Sequence, residues 1–338
     1  MNHYENCMQC PKKCGVNRTQ KQKGFCQETD DLKIAFAGLH FGEEPLVTVF
    51  GGSGTIFITG CTLRCAFCQN YQISQNGYGS DVDSKEFTKM CLDLQNAGAE
   101  NINIVTGSHH IPKLAEFIRA AKDAGVTIPF CWNSSAYETV ESLELLKGLV
   151  TIWLPDLKTL SSSLSKNLFL APDYPQVAAK AIKWMIQNNP LKIKTVESPK
   201  NAKSIEWAQD GEPREKMEQG VIIRHLFLPG KFQETADVLQ WLKENADTKS
   251  CISLMNQYTP VSFNEEKTKL ERRQKALKAI ENRLVSKEED LDIQDLIEAY
   301  DFEYLFYQEL SDDTSWLPYF TKPQPFSTAL ATPIWHCK

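Results

Sequence analysis

Two short stretches hold most of the residues that could do chemistry. Cys61-Thr62-Leu63-Arg64-Cys65-Ala66-Phe67-Cys68 carries three thiols, and Cys7-Met8-Gln9-Cys10-Pro11-Lys12-Lys13-Cys14, followed by Cys26, carries four. Thiolate ligands must converge within a few ångströms, and short spacings let a loop achieve this at little entropic cost. Three thiolates are one short of the set that closes a zinc site or a conventional iron–sulfur cluster, which leaves a metal position open for an exogenous ligand. Four thiolates make a closed set, equally suited to structural zinc or an iron–sulfur cluster. Pro11 and Gly15 mark turns that gather the four, and Lys12, Lys13 and Arg18 offset their charge. Of the remaining cysteines, Cys91, Cys131 and Cys251 read as small buried hydrophobes, and Cys337 has no assigned role.

The elements around the triplet fit an open site. Thr55–Thr59 is a β-rich run entered through Gly51-Gly52-Ser53-Gly54, and the cysteines follow at its C-terminal end. In parallel α/β folds the loops at that end carry the chemistry. Strand–helix alternation then continues. The strands read as Asn101–Val105, Thr127–Trp132, Leu149–Leu154, Val221–Leu228 and Cys251–Met255. Helices fall around Phe87–Leu94, Leu114–Ala121, Val140–Leu146 and Val177–Trp184. Six such units predict a parallel sheet wrapped by helices. Lys192–Met217 interrupts the pattern as an inserted loop or hairpin. Phe263–Asp290, dense in charge with Leu270, Leu277 and Leu284 at heptad spacing, reads as a solvated helix packed by one stripe.

The chain has 338 residues, 42% hydrophobic, with 43 acidic against 37 basic side chains. This balance argues against a broad basic face for nucleic acid. No apolar run reaches the length of a membrane span, and Met1-Asn2-His3-Tyr4-Glu5 lacks the order of a signal peptide. The expectation is a cytoplasmic protein in a reducing compartment, where eleven cysteines call for metal rather than disulfides.

Cys61-x3-Cys65-x2-Cys68, with Phe67 before the last cysteine, resembles the radical S-adenosylmethionine (SAM) signature. The likeness narrows to proteins similar to pyruvate formate-lyase-activating enzymes, in a branch with an extra N-terminal cysteine group. It rests on His40–Pro45, Gly52–Phe57, Cys68-Gln69-Asn70, Leu154-Pro155-Asp156-Leu157-Lys158 and Arg224–Gly230. The resemblance implies a partial (β/α)6 barrel over 51–260, a cysteine-rich N-terminal extension over 1–50 and a helical, aromatic-rich C-terminal extension over 261–338.

It also implies a 4Fe–4S cluster on Cys61, Cys65 and Cys68 with SAM on its fourth iron. Reductive cleavage of SAM would yield a 5′-deoxyadenosyl radical that abstracts hydrogen, with the protein binding, orienting and shielding. Thr106, Gly107 and Ser108, where relatives carry Gly-Gly-Glu-Pro, are expected near SAM; this chain has no acid there. Asn133 and Ser134 are expected near its carboxylate or ribose. Asp156 and Lys158, alternate residues on one strand face, are expected beside it, the alternative being an ion pair closing the barrel end. Of the neighbours Arg224 and His225, one must point inward, and the resemblance favours His225. His109 and His110 read as exposed loop residues or as site residues.

The activity expected is that of an activating-enzyme-like oxidoreductase, supplied with electrons by a donor such as flavodoxin or ferredoxin. It would install a glycyl radical on a partner enzyme. A small molecule or another protein residue is the alternative substrate. A non-catalytic zinc scaffold, with His40, His109 or His110 completing the triplet, is the second alternative.

Overall fold

The computed structural model describes residues 3–198 and 211–337. Its strands are β1 (Leu32–His40), β2 (Ser53–Ile58), β3 (Ser80–Val82), β4 (Ile102–Val105), β5 (Phe130–Ser134), β6 (Ile152–Pro155), β7 (Lys192–Val196), β8 (Arg214–Leu226), β9 (Cys251–Met255), β10 (Leu305–Tyr307) and β11 (Ala331–His336). They form one mixed sheet in the order β10-β9-β8-β6-β5-β4-β2-β1-β11, with β3 beside β1 and β7 beside β8. From β2 to β10 every pairing along this path is parallel. β1 lies antiparallel to β2 and β11 antiparallel to β1, and the two end strands do not pair. The result is an open, mostly parallel α/β sheet, as the strand–helix alternation predicts, and it agrees with the partial barrel that the resemblance implies.

All six expected strands are present in the expected sequence. Three are displaced: the third runs Phe130–Ser134 rather than Thr127–Trp132, the fourth Ile152–Pro155 rather than Leu149–Leu154, and the fifth begins at Arg214. β7 and the start of β8 form an antiparallel hairpin, as read for Lys192–Met217; its residues 199–210 lie outside the described residues. The reading of Phe263–Asp290 as one helix is corrected. Two helices, Lys267–Leu277 and Lys287–Tyr300, occupy this region, the second started afresh by a Ser286–Glu289 capping box. The C-terminal region also contributes strands, β10 extending the parallel run and β11 covering β1.

Side-chain alternation divides the sheet's apolar residues between two faces. Ile56, Ile104, Trp132, Trp153, Val221, Ile223 and Ile252 pack with Leu114, Ile118, Ala181, Met185, Val238 and Leu242 of the covering helices. Cys131, Ile152, Leu154, Ile222 and Cys251 pack together with Leu46 and Val47 on the other, inner face. The three lone cysteines Cys91, Cys131 and Cys251 are fully buried, as expected of small hydrophobes. Among the described residues no helix is long and apolar enough to cross a membrane.

Candidate functional site

The loop after β2 starts at Thr59-Gly60 and delivers Cys61, Cys65 and Cys68 in succession. Gly60 has φ +88°, and an added Cβ would stand 2.5 Å from Glu28 and 2.8 Å from His109, so only glycine fits this exit. A Leu63 N–H donates to Cys61 Sγ at 3.3 Å, and Cys68 Sγ lies 3.2 Å from Ser74 Oγ. Burial and the neighbouring Cys65 and Cys68 push the Cys61 thiol up; burial pushes Cys65 up to about 12, against the pull of Lys158. The three thiols are thus close enough to feel one another's charge. Among the described residues no three Cys, His, Asp or Glu side chains converge on a point that a single ion could fill. The donor set, three soft thiols on one short loop, fits the cluster.

Asp156 and Lys158 follow β6 and face this loop. Lys158 Nζ stands 2.6 Å from Asp156 Oδ2, and both groups act on the Cys65 thiol. Arg224 closes the other side of Asp156, its Nε donating to Oδ1 at 2.9 Å and its second arm donating to Asn133 Oδ1 at 2.5 Å. The strands hold this register through Asp156 N–H to Ser134 O, 2.9 Å, and Leu157 N–H to Arg224 O, 2.8 Å. Burial raises the carboxyl of Asp156, but Arg224 and Lys158 outweigh it and hold the group below its ordinary value. Burial likewise opposes the charge of Lys158, and Asp156 and Cys65 outweigh it. Tyr174 fastens the segment from behind: its hydroxyl donates to Asp156 O at 2.7 Å and accepts from Lys158 N–H at 3.0 Å.

Glu43 and Glu44 complete the inner face, and residue-by-residue reading of the sequence gave them no role. Glu43 Oε2 is 3.5 Å from Arg224 and 3.5 Å from Asn133 Nδ2. Glu44 Oε2 is buried without a hydrogen-bond partner. Burial raises both carboxyls, with Arg224 opposing. Three carboxylates thus share Arg224 and Lys158. The sequence signal was the acidic pair before Pro45, in a stretch already singled out by resemblance.

The expected SAM contacts divide. Asn133, Asp156 and Lys158 come together. Thr106, in the left-handed region at φ +65°, and Gly107 form the turn after β4, the Thr106 N–H donating to Asn133 O at 2.9 Å. His225 is corrected: it shares its face with Val221 and Ile223, and both ring nitrogens are engaged, Nδ1 with Leu157 O at 2.7 Å and Nε2 with Thr235 Oγ1 at 2.9 Å. Arg224 takes the inward position instead. Ser108 and Ser134 turn away too. Ser108 donates to buried Glu138 at 2.5 Å, Ser134 lies beside the same carboxyl, and Trp132 Nε1 donates to it.

His109 and His110 are buried rather than exposed. His109 Nε2 meets Thr59 O at 2.7 Å, while His110 faces Arg18 and Tyr4. With those partners, and with His40 packed on Phe326 and beside Glu43, none of the three completes a zinc site on the triplet.

The N-terminal cysteines gather in one place. Cys7 N–H donates to Val16 O and Gly15 N–H to Cys7 O, both at 3.0 Å, which folds Cys14 back toward Cys7. Phe25 N–H donates to Cys14 Sγ at 3.3 Å and carries Cys26 alongside. Burial pushes Cys10 up to about 12, and the charges of Cys26, Cys7 and Cys14 add to this. The group adjoins the triplet: Cys26 O lies 3.3 Å from the Cβ position of Gly60, and Lys12 feels Cys10, Cys14 and Cys61 together.

Residues 55–193 match the sequence model of the Radical SAM superfamily. An uncharacterized protein of Methanocaldococcus jannaschii is 29% identical over 280 residues, 80% of this chain and 71% of that protein. Among solved structures, Streptococcus suis SuiB bound to the precursor peptide SuiA is similar over 74% of this chain at 13% identity and a TM-score of 0.48. This chain spans only 46% of the length of that one. A domain of the pyruvate-formate lyase-activating enzyme of Bacteroides vulgatus is similar over 59% of this chain and 92% of its own, at 10% identity and a TM-score of 0.35. The matched residues begin at β2 and take in the cysteine loop, Asn133 and the Asp156–Lys158 pair, so this segment of the chain is similar to the radical SAM superfamily.

Proposed function

We propose that this protein is a radical SAM enzyme that reductively cleaves SAM and abstracts hydrogen from a substrate. The observation that carries this reading is the network at the end of the parallel strands, with Lys158 2.6 Å and Arg224 2.9 Å from the Asp156 carboxylate, and Asp156 and Lys158 near enough for their charges to act on the Cys65 thiol. Cys61, Cys65 and Cys68 would hold the four-iron cluster. A four-iron cluster held there would supply the single electron that reductive cleavage of SAM requires. The chain's own residues bind and orient. Lys158 presents an ammonium to the methionyl carboxylate, Asn133 and the Thr106–Gly107 turn offer polar contacts, and Arg224 keeps Asp156 ionised.

For the substrate, the Asp156-x-Lys158 and Arg224–Gly230 stretches support a glycyl residue of a partner enzyme, with electrons from a flavodoxin- or ferredoxin-class donor. The absence of an acid in Thr106–His110 supports the second reading, a small molecule or another protein residue. In the N-terminal group, Cys7, Cys10, Cys14 and Cys26 hold zinc or a second cluster. The test is anaerobic reconstitution with iron and sulfide, reduction, and measurement of 5′-deoxyadenosine. Production that is lost in Cys65→Ala supports the reading, and its absence in the iron-loaded wild type rejects it. A glycyl signal on a partner by electron paramagnetic resonance, or deuterium passing from a labelled metabolite into 5′-deoxyadenosine, separates the two substrates.

A further inference from the structure

The helix Lys267–Leu277 lies outside the matched residues 55–193, yet one of its side chains reaches the cysteine loop. Arg273 is 6% exposed, in a helix whose described neighbours are mostly solvated. Its Nη1 donates to Cys65 O and to Ala66 O, each at 3.2 Å. Its Nη2 donates to Gln75 Oε1 at 3.0 Å, and Gln75 Nε2 in turn donates to Cys65 O at 3.0 Å. Glu265 holds the other edge, with Oε2 2.5 Å from Nε and Oε1 3.0 Å from Nη2. The guanidinium lies 4.2 Å from the Phe263 ring centroid and 5.6 Å from that of Tyr71. Nearby, Asn264 N–H donates to Tyr71 OH at 3.1 Å.

Such an arrangement is costly unless it does something. A buried guanidinium offers five donors in a fixed fork, and here two of its hydrogen bonds reach loop carbonyls, a third reaches Gln75, and the Glu265 carboxylate takes two more. Glu265 cancels its formal charge, but the fork remains aimed at the two carbonyls between the second and third cysteines. Cys65–Cys68 lies in neither a helix nor a strand, and among the described residues only the Cys68 N–H, at 3.2 Å, and Gln75 Nε2, at 3.0 Å, are seen besides Arg273 to hold the Cys65 carbonyl.

We propose that Arg273 is a positioning residue for the thiol loop: a C-terminal element, outside the residues that match the superfamily model, fixes the backbone from which Cys65 and Cys68 project. This rests on the reading of Cys61, Cys65 and Cys68 as the cluster ligands. The fork orders the loop before metal arrives, and once a cluster is bound it keeps a cationic donor group one peptide away from it. Hydrogen bonding and nearby charge are among the quantities that set cluster potentials.

The test uses the full chain in two states. In the metal-free protein, alkylation of Cys65 by iodoacetamide is followed residue by residue with mass spectrometry, and buried Cys91 serves as the reporter of global unfolding. Arg273→Gln is expected to speed Cys65 alkylation at least tenfold while Cys91 stays protected, because local opening of the loop controls the rate. Arg273→Lys keeps the charge but not the fork, and is expected to speed Cys65 several-fold. After reconstitution, Arg273→Gln is expected to bind as much iron as the wild type. Its cluster should be harder to reduce by a factor of about ten, equivalent to 59 mV for one electron. Unchanged Cys65 alkylation in both variants overturns the proposal. If Arg273→Gln exposes Cys91, the decision passes to Arg273→Lys, where Cys65 reacting no faster than in the wild type overturns it. A wild-type protein that binds no iron would reject the cluster reading and leave the alkylation result standing.

Discussion

Arg224 and Asp156 form the joint between two neighbouring parallel strands and the chemistry above them. Their side chains meet at 2.9 Å, and the backbones beneath them also bridge, Arg224 O accepting from Leu157 N–H at 2.8 Å. Arg224 thus satisfies Asp156, Asn133 and Glu43 at once. Removing one partner of a buried ion pair leaves an uncompensated charge at a cost of roughly 3–5 kcal/mol. Arg224→Ala is therefore expected to lower unfolding stability by about 3 kcal/mol. Arg224→Ala combined with Asp156→Asn should recover part of this loss, read by urea denaturation of the metal-free protein. Equal losses in single and double variants would contradict the coupling.

Glu44 carries the opposite prediction. Its folded-state carboxyl is raised by burial, so its contribution is favourable below the unfolded value near 4.5 and is lost as pH rises toward the folded one. Glu44→Gln should therefore be neutral at pH 4 and should stabilise the protein at pH 8 by about 1 kcal/mol, as removal of a poorly satisfied buried carboxylate does. Thermal unfolding at the two pH values checks this, and a destabilised variant at pH 8 would contradict it.

Sequence reading reached the architecture because hydrophobic periodicity is local, and each of the six strands carries its own pattern. It missed β10 and β11 because Leu305–Tyr307 and Ala331–His336 are short and lie among polar turns, so only pairing to the sheet makes them strands. The cysteine triplet, Asn133 and Asp156–Lys158 were legible from spacing and resemblance. The inward choice between Arg224 and His225 was not, because alternation shows that one faces in but not which. That depends on register against Asp156, a contact 68 residues distant in the chain. Glu138 and Arg273 escaped notice for the same reason: each is a lone charged residue whose partners are supplied by remote segments.

His225 gives a pH signature. Burial lowers it to about 4, with Leu157 O opposing, so the folded protein prefers the neutral ring. Its contribution is present above the unfolded value near 6.5 and is lost as pH falls from 6.5 toward 4. Over that window His225→Gln should flatten the decline in stability by up to about 1.4 kcal/mol per pH unit. A pH series of urea midpoints reads this, and parallel curves for wild type and variant would contradict it.

The N-terminal group should be separable from the triplet. A variant with Cys61, Cys65 and Cys68 all replaced by Ala is expected to keep the metal bound by Cys7, Cys10, Cys14 and Cys26. The reverse quadruple variant should keep iron at the triplet. Elemental counting of iron and zinc per chain after anaerobic purification decides it, and complete loss of metal in either variant would show a shared site.

The central claim is an open iron on the cluster of Cys61, Cys65 and Cys68, and electron paramagnetic resonance of the reduced, iron-loaded protein with and without SAM tests it most directly. The account predicts a four-iron signal that changes shape when SAM is added, in the wild type and in the quadruple N-terminal variant alike. A signal indifferent to SAM, or a triplet that holds only zinc, would contradict it.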